Sequence, residues 1–125
     1  MKKETLASKM SELKSQVKDW NEARKEERKK ELTFDVLATV REILEAVEAD
    51  ESFIEPEECR DTDRNDPVYQ CAVATHAEEL ANTLDDSENA LALRVLASYV
   101  KNVAYINGKV PDLDLTELAW AFNIE

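Results

Sequence analysis

One glycine, Gly108, and three prolines, Pro56, Pro67 and Pro111, are the only strong backbone punctuation in this chain of 125 residues. A glycine-rich phosphate cradle is excluded, because such loops need several residues without a Cβ. No Gly or Pro precedes Pro56, so residues 4 to 49 carry no strong helix breaker. Histidine is equally scarce: His76 stands alone. Cys59 and Cys71 are too few for a disulfide framework, and as free thiols they fit a reducing cytoplasm. No run of about 18 apolar residues occurs, which excludes a transmembrane helix. The opening MKKETLASKMSELKS has lysines but no apolar centre, so it does not read as a signal peptide. Nowhere do apolar and polar residues alternate long enough to make a strand, so the expected class is all-α.

Charge is abundant. Charged residues make up 35% of the chain and the net charge is −12. A chain this acidic is expected to avoid nucleic acid and anionic membrane and to favour a basic partner. Its charge is unevenly placed: residues 1–31 hold 10 Lys/Arg and 7 Asp/Glu, whereas 32–125 hold 6 and 21. Residues 42–66 alone hold 11 acids against Arg60 and Arg64. The length suits one domain, divided by charge into an amphipathic N-terminal arm, 1–31, and an acidic helical body, 32–125.

The most apolar stretch is SENALALRVLASYVKNVAYING, Ser87 to Gly108. Wound at about 100° per residue, it leaves only Arg94, Ser98, Lys101 and Asn102 as a polar stripe. A helix that apolar needs cover on several sides and is the expected hub. Asp85-Asp86-Ser87-Glu88 supplies an N-cap, with the glutamate placed for a capping box, and Gly108 a left-handed C-cap.

In the arm, Leu6, Met10, Leu13, Val17 and Trp20 repeat with the alternating spacing of a coiled-coil seam. Arg24, Glu27 and Glu31 then interrupt it, short of the roughly three to four heptads that define a coiled coil. Two arrangements fit: a seam that pairs with a second copy, giving a homodimer, or a helix packed on its own domain. The basic stretch after the seam is in the wrong order for a basic zipper. Leu32-Thr33-Phe34-Asp35 reads as a fresh helix start with Thr33 as cap, on a helix either continuous with the first or meeting it at a bend. Val36, Leu37, Val40, Ile43, Leu44 and Val47 form its apolar face. Residues 50–66 read as a loop anchored by Phe53 and Ile54. Asp66-Pro67 reads as N-cap and first residue of a third helix running to about Leu84. Asp114-Leu115-Thr116-Glu117 reads as a capping box, and Leu113 can staple onto Leu118. The helix it opens is expected to dock Trp120 and Phe122. The total is four or five helices in a small bundle with an extended amphipathic N-terminal helix.

Chemistry-bearing constellations are few. Asp61, Asp63 and Asn65 begin like a calcium loop, but Asp66 and Ala72 stand where the turn glycine and closing glutamate belong. Cys59, Cys71 and His76 lack the paired short spacings of a zinc site. His76, in the middle of an apolar face, reads as a hydrogen-bonded core imidazole. Glu57–Glu58 and Glu78–Glu79 are adjacent, so on a helix they diverge rather than flank one substrate. Residues 115–125 are similar to the first helix and turn of a helix-turn-helix, but the chain stops where a recognition helix should start. No catalytic, metal or cofactor site is expected.

What remains is the acidic stretch. A duplex carries a charge every ~1.7 Å of axis, and carboxylates along a helix edge and loop approach that density. Glu45, Glu48, Asp50, Glu51, Glu55, Glu57, Glu58, Asp61 and Asp63 are the expected partner-binding face. The expected function is that of a non-enzymatic protein that binds and inhibits a basic, nucleic-acid-handling protein. In bulk character the chain is similar to small acidic inhibitors carried by phages and mobile elements, among them anti-CRISPR and anti-restriction proteins. That similarity is one of type and rests on no motif. The alternative is a helical adaptor pairing through the N-terminal seam.

Overall fold

The structure, a computed structural model, describes residues 3–55, 57, 67–102 and 115–124. Five helices account for most of them: α1 (Lys3–Glu22), α2 (Glu26–Glu48), α3 (Pro67–Ala81), α4 (Ser87–Asn102) and α5 (Leu115–Ala121). The described residues contain no strand, so the all-α expectation holds.

α1 and α2 form a hairpin, the most extensive helix pair in the fold. The turn between them spans only Ala23–Lys25 and contains neither glycine nor proline. Ala23 N–H donates to the Asp19 carbonyl at 3.0 Å and closes α1, and Lys25 turns extended (φ −87°, ψ 133°) to open α2. Packing supplies the reason for the break. Beyond Trp20 a straight helix would carry Arg24, Glu27 and Glu31 on the apolar side. Folding back instead sets Val36, Val40, Ile43 and Val47 in one core with Leu6, Met10, Leu13 and Val17, all buried. Lys29 lies over the Trp20 ring, 4.5 Å from its centroid, near the turn. At the open end the Lys9 ammonium pairs with Glu42, a bond that raises the lysine's pKa.

Two expectations are corrected here. α2 starts at Glu26 and runs unbroken through Thr33. The Thr33 hydroxyl donates to the Lys29 carbonyl at 2.8 Å, a bond within the helix rather than a cap. The charged residues preceding the expected start, Glu26 to Glu31, are good helix formers, so nothing local stops the helix there. The arm is also no separate unit. Leu6, Met10, Leu13 and Val17 are at most 1% exposed and Trp20 is half-buried, all within this one chain. The seam expected to meet a second copy is filled by α2, α4 and α5 of the same molecule.

α3 opens on Pro67, whose missing N–H costs nothing at the first helical position. It ends at Ala81 rather than Leu84, as the N–H groups of Asn82, Thr83 and Leu84 turn back onto Glu79, Leu80 and Ala81 carbonyls at 3.0–3.2 Å. Its buried face includes Ala74, Ala77 and Ala81, small residues suited to the close packing of α4, which itself buries Ala90, Leu93 and Ala97. Asp86 caps α4: its Oδ1 accepts from the Glu88 N–H at 2.8 Å and the Asn89 N–H at 3.2 Å. The Glu88 carboxylate, expected to complete a capping box, instead accepts from Lys14 of α1 at 2.6 Å and raises that lysine's pKa. α4 packs on α3, α5 and α1 with Arg94, Ser98 and Lys101 outward, as the polar stripe predicts. Gly108, Leu113 and Asp114, read as cap and staple residues, lie outside the described residues.

α5 closes the core over α1 and α4 with Leu115, Leu118 and Phe122. It ends in a Schellman turn: Ile124 N–H reaches the Ala119 carbonyl at 2.8 Å and Asn123 N–H the Trp120 carbonyl at 3.0 Å. Asn123 takes the left-handed conformation this requires (φ 60°). Trp120 corrects its expected place: it is 71% exposed while Phe122 is 1% exposed. The two residues are about 200° apart around a helix, so one core cannot hold both.

Candidate functional site

The C-terminal end of α2, the segment that follows it and the outer face of α3 meet around His76. Asp50 ends the turn after α2 and sends its carboxylate inward. Its Oδ2 accepts from His76 Nε2 at 2.7 Å, from the Ser52 hydroxyl and from the Ser52 N–H at 3.2 Å. The Ser52 hydroxyl bond, the largest influence, outweighs the cost of burial, which comes second; with the weaker help of His76 and the Ser52 N–H it holds this carboxyl down to about 2. On the other side of the ring, Nδ1 lies 3.3 Å from Glu79 Oε2, one turn further along α3. Both carboxylates can only accept, so a ring protonated at both nitrogens makes both bonds and a neutral ring only one.

Rings complete the clasp. Phe53 packs edge-on to Tyr69, centroids 6.0 Å apart, and tilted against His76 at 5.5 Å. The Tyr69 hydroxyl donates to Glu48 Oε1 at 2.7 Å. Asp50, Phe53, Tyr69 and His76 thus fasten the post-α2 segment onto α3.

Ser52 Oγ also lies 3.3 Å from His76 Nε2. Ser52 on Nε2 and the Glu79 carboxylate on Nδ1 stand on opposite ring nitrogens, the order of a nucleophile and its orienting acid. Activation also needs the hydroxyl to donate to the ring, and a second carboxylate prevents that. Here Asp50 holds the serine-side nitrogen and also receives the serine's proton. The arrangement serves as a structural clasp.

Over this clasp lies an open cleft of about 290 Å³, lined by Ser52, Phe53, Ile54, Ala72, Thr75, His76 and Glu79. Phe53 anchors the segment as expected. Ile54 corrects its expectation, being 85% exposed at the cleft rather than in the core.

The nine acids of the expected face divide. Glu45, Glu51, Glu55 and Glu57 are exposed. Glu48 and Asp50 are corrected: they face inward, bonded to Tyr69 and His76. Glu58, Asp61 and Asp63 lie outside the described residues, as do Cys59 and the rest of the calcium-like loop. Glu79, absent from the expected face, joins it with a side chain 69% exposed. Glu78 diverges from Glu79 as adjacent residues must and pairs with Lys101. The walls of this region, residues 42–57 and 67–81, carry nine carboxylates and no Lys or Arg. Among the described residues no group of three His, Cys, Asp or Glu is placed to hold a metal ion. Cys71 is a free, half-buried thiol.

The clasp was not legible in advance. His76 and Glu79 are one helical turn apart, a spacing that a sequence exposes. Asp50 and Ser52 reach the same ring from 26 and 24 residues away, and no spacing rule connects them.

Comparison with known proteins finds no matching family model, no matching curated protein and no matching solved structure. No described helix is long and apolar enough to cross a membrane.

Proposed function

We propose that this protein binds a basic, nucleic-acid-handling protein through its acidic end and blocks the surface which that partner offers to phosphates. One observation carries the reading: Glu45, Glu51, Glu55, Glu57 and Glu79 stand exposed around the end of α2 and the outer face of α3, on segments without a single Lys or Arg. Carboxylates not neutralised by local cations keep their field available to a partner. The Asp50–His76 clasp fixes the segment bearing Glu51 and Glu55, so part of the array is ordered before binding, which lowers the entropy lost on association. An inhibitor of the type carried by phages and mobile elements, anti-CRISPR and anti-restriction proteins included, would act in this way as a nucleic-acid mimic. The adaptor reading depended on an open N-terminal seam, and that seam is occupied within the chain.

The test is capture of partners from a lysate on the immobilised protein, eluted along a salt gradient, beside a variant with Glu45, Glu51, Glu55 and Glu57 all changed to Lys. A basic, nucleic-acid-binding protein should elute at moderate salt, because exposed charges are screened beyond about 8 Å at physiological ionic strength. The variant should retain at most about a tenth of that capture, a change of roughly 1.4 kcal/mol. Equal capture by the two proteins would refute the proposal.

A further inference from the structure

The cleft beside His76 has a chemistry that the acidic face alone does not use. Ile54 is a large β-branched apolar side chain, 85% exposed, at the centre of the most acidic region of the molecule. With Phe53 and Ala72 it makes the apolar part of the cleft lining, while Thr75, Ser52 and Glu79 supply polar groups. At about 290 Å³ it lies at the small end of ligand-pocket volumes, about 300–1,000 Å³. It has room for a side chain rather than for a folded domain. The Phe53 side of the lining is preformed, since Phe53 is wedged against the Tyr69 and His76 rings and Asp50 is fastened to His76.

We infer that this cleft receives one apolar side chain presented by a Lys/Arg-rich segment of the partner. Charge complementarity selects the occupant. Glu51, Glu55 and Glu79 are exposed around the cleft, so an acidic or purely apolar segment is disfavoured and a basic one attracted. The exposed Ile54 then adds what carboxylates cannot, a contact that survives salt. The inference rests on the basic-partner proposal and makes it specific: the partner is read by an apolar anchor set among cations, and not by charge alone.

Two fluorescent peptides titrated into the full chain test it by anisotropy. One alternates lysine and serine; the other is identical except that a central serine is leucine. The leucine peptide should bind about tenfold or more tighter, the worth of burying such a side chain. That ratio should persist in high salt while both affinities fall. Ile54→Ser should bring the leucine peptide to the level of the lysine–serine peptide, with the circular dichroism unchanged because Ile54 is not in the core. Equal binding of the two peptides to the unaltered protein would overturn the anchor and leave the basic-partner proposal standing. A leucine advantage that persists in Ile54→Ser would overturn it too. Failure of both peptides to bind would overturn both proposals.

Discussion

Asp50 is spent inward in a stretch whose other carboxylates mostly face water. Its side chain is 11% exposed against His76, and its pKa falls from an ordinary 3.8 to about 2. A carboxyl depressed in the folded state stabilises the fold above its unfolded pKa and loses that contribution as pH falls through the folded one. Asp50→Asn should therefore be about 1–2 kcal/mol less stable than the parent at neutral pH. The gap should close between about pH 4 and pH 2, as urea midpoints across that range will register. A gap that stays constant to pH 2 would show that the charge of Asp50 is not its source. Features governed by immediate neighbours were readable in advance, Pro67 as a first helical residue and an N-cap somewhere in Asp85-Asp86-Ser87 among them. Ile54, Trp120 and Asp50 were not, because the side each faces depends on what folds over it from elsewhere in the chain.

At the scale of elements, the helices owe their limits to caps and turns rather than to breakers. α4 begins where the Asp86 carboxylate takes two otherwise orphaned N–H groups. Asp86→Ala should lower stability by about 1 kcal/mol and shift the urea midpoint with no change in slope. An unaltered midpoint would mean that water serves those groups as well. The break between α1 and α2 has no such local device. Ala23, Arg24 and Lys25 are all good helix formers, so the sequence left open whether the two helices were one. Tertiary packing decides, and it places the break at Ala23–Lys25 rather than at Leu32 because the apolar seam stops at Trp20. The number and faces of the helices were legible because their apolar spacing is periodic. Helix starts inside a breaker-free run were not.

For the molecule as a whole, the burial of the N-terminal seam sets the architecture. Leu13 has no solvent exposure, so Leu13→Ala should cost about 2–5 kcal/mol, a large part of the roughly 5–15 kcal/mol that holds a small domain folded. Leu13→Glu should give a protein without a cooperative thermal transition, not a folded monomer released from a dimer. Light scattering and a melting curve on the two variants separate these outcomes. A folded, monomeric Leu13→Glu variant derived from a dimeric parent would restore the seam as an interface. The body of the fold thus unites what charge divided. The electrically neutral α1 and the acidic α2 share one core, and the acidic excess collects at the end of α2 and along α3.

The two tryptophans sit in contrasting places, Trp20 half-buried beneath the Lys29 ammonium and Trp120 in solvent on α5. Intrinsic fluorescence is therefore already assigned to structure. Trp120 emits as a hydrated indole whether or not the chain is folded, so any spectral change on unfolding belongs to Trp20 and times the opening of the α1–α2 hairpin. Neither indole lines the cleft at Ile54, so a ligand seated there leaves the emission unchanged and one optical signal separates docking from melting without an added dye.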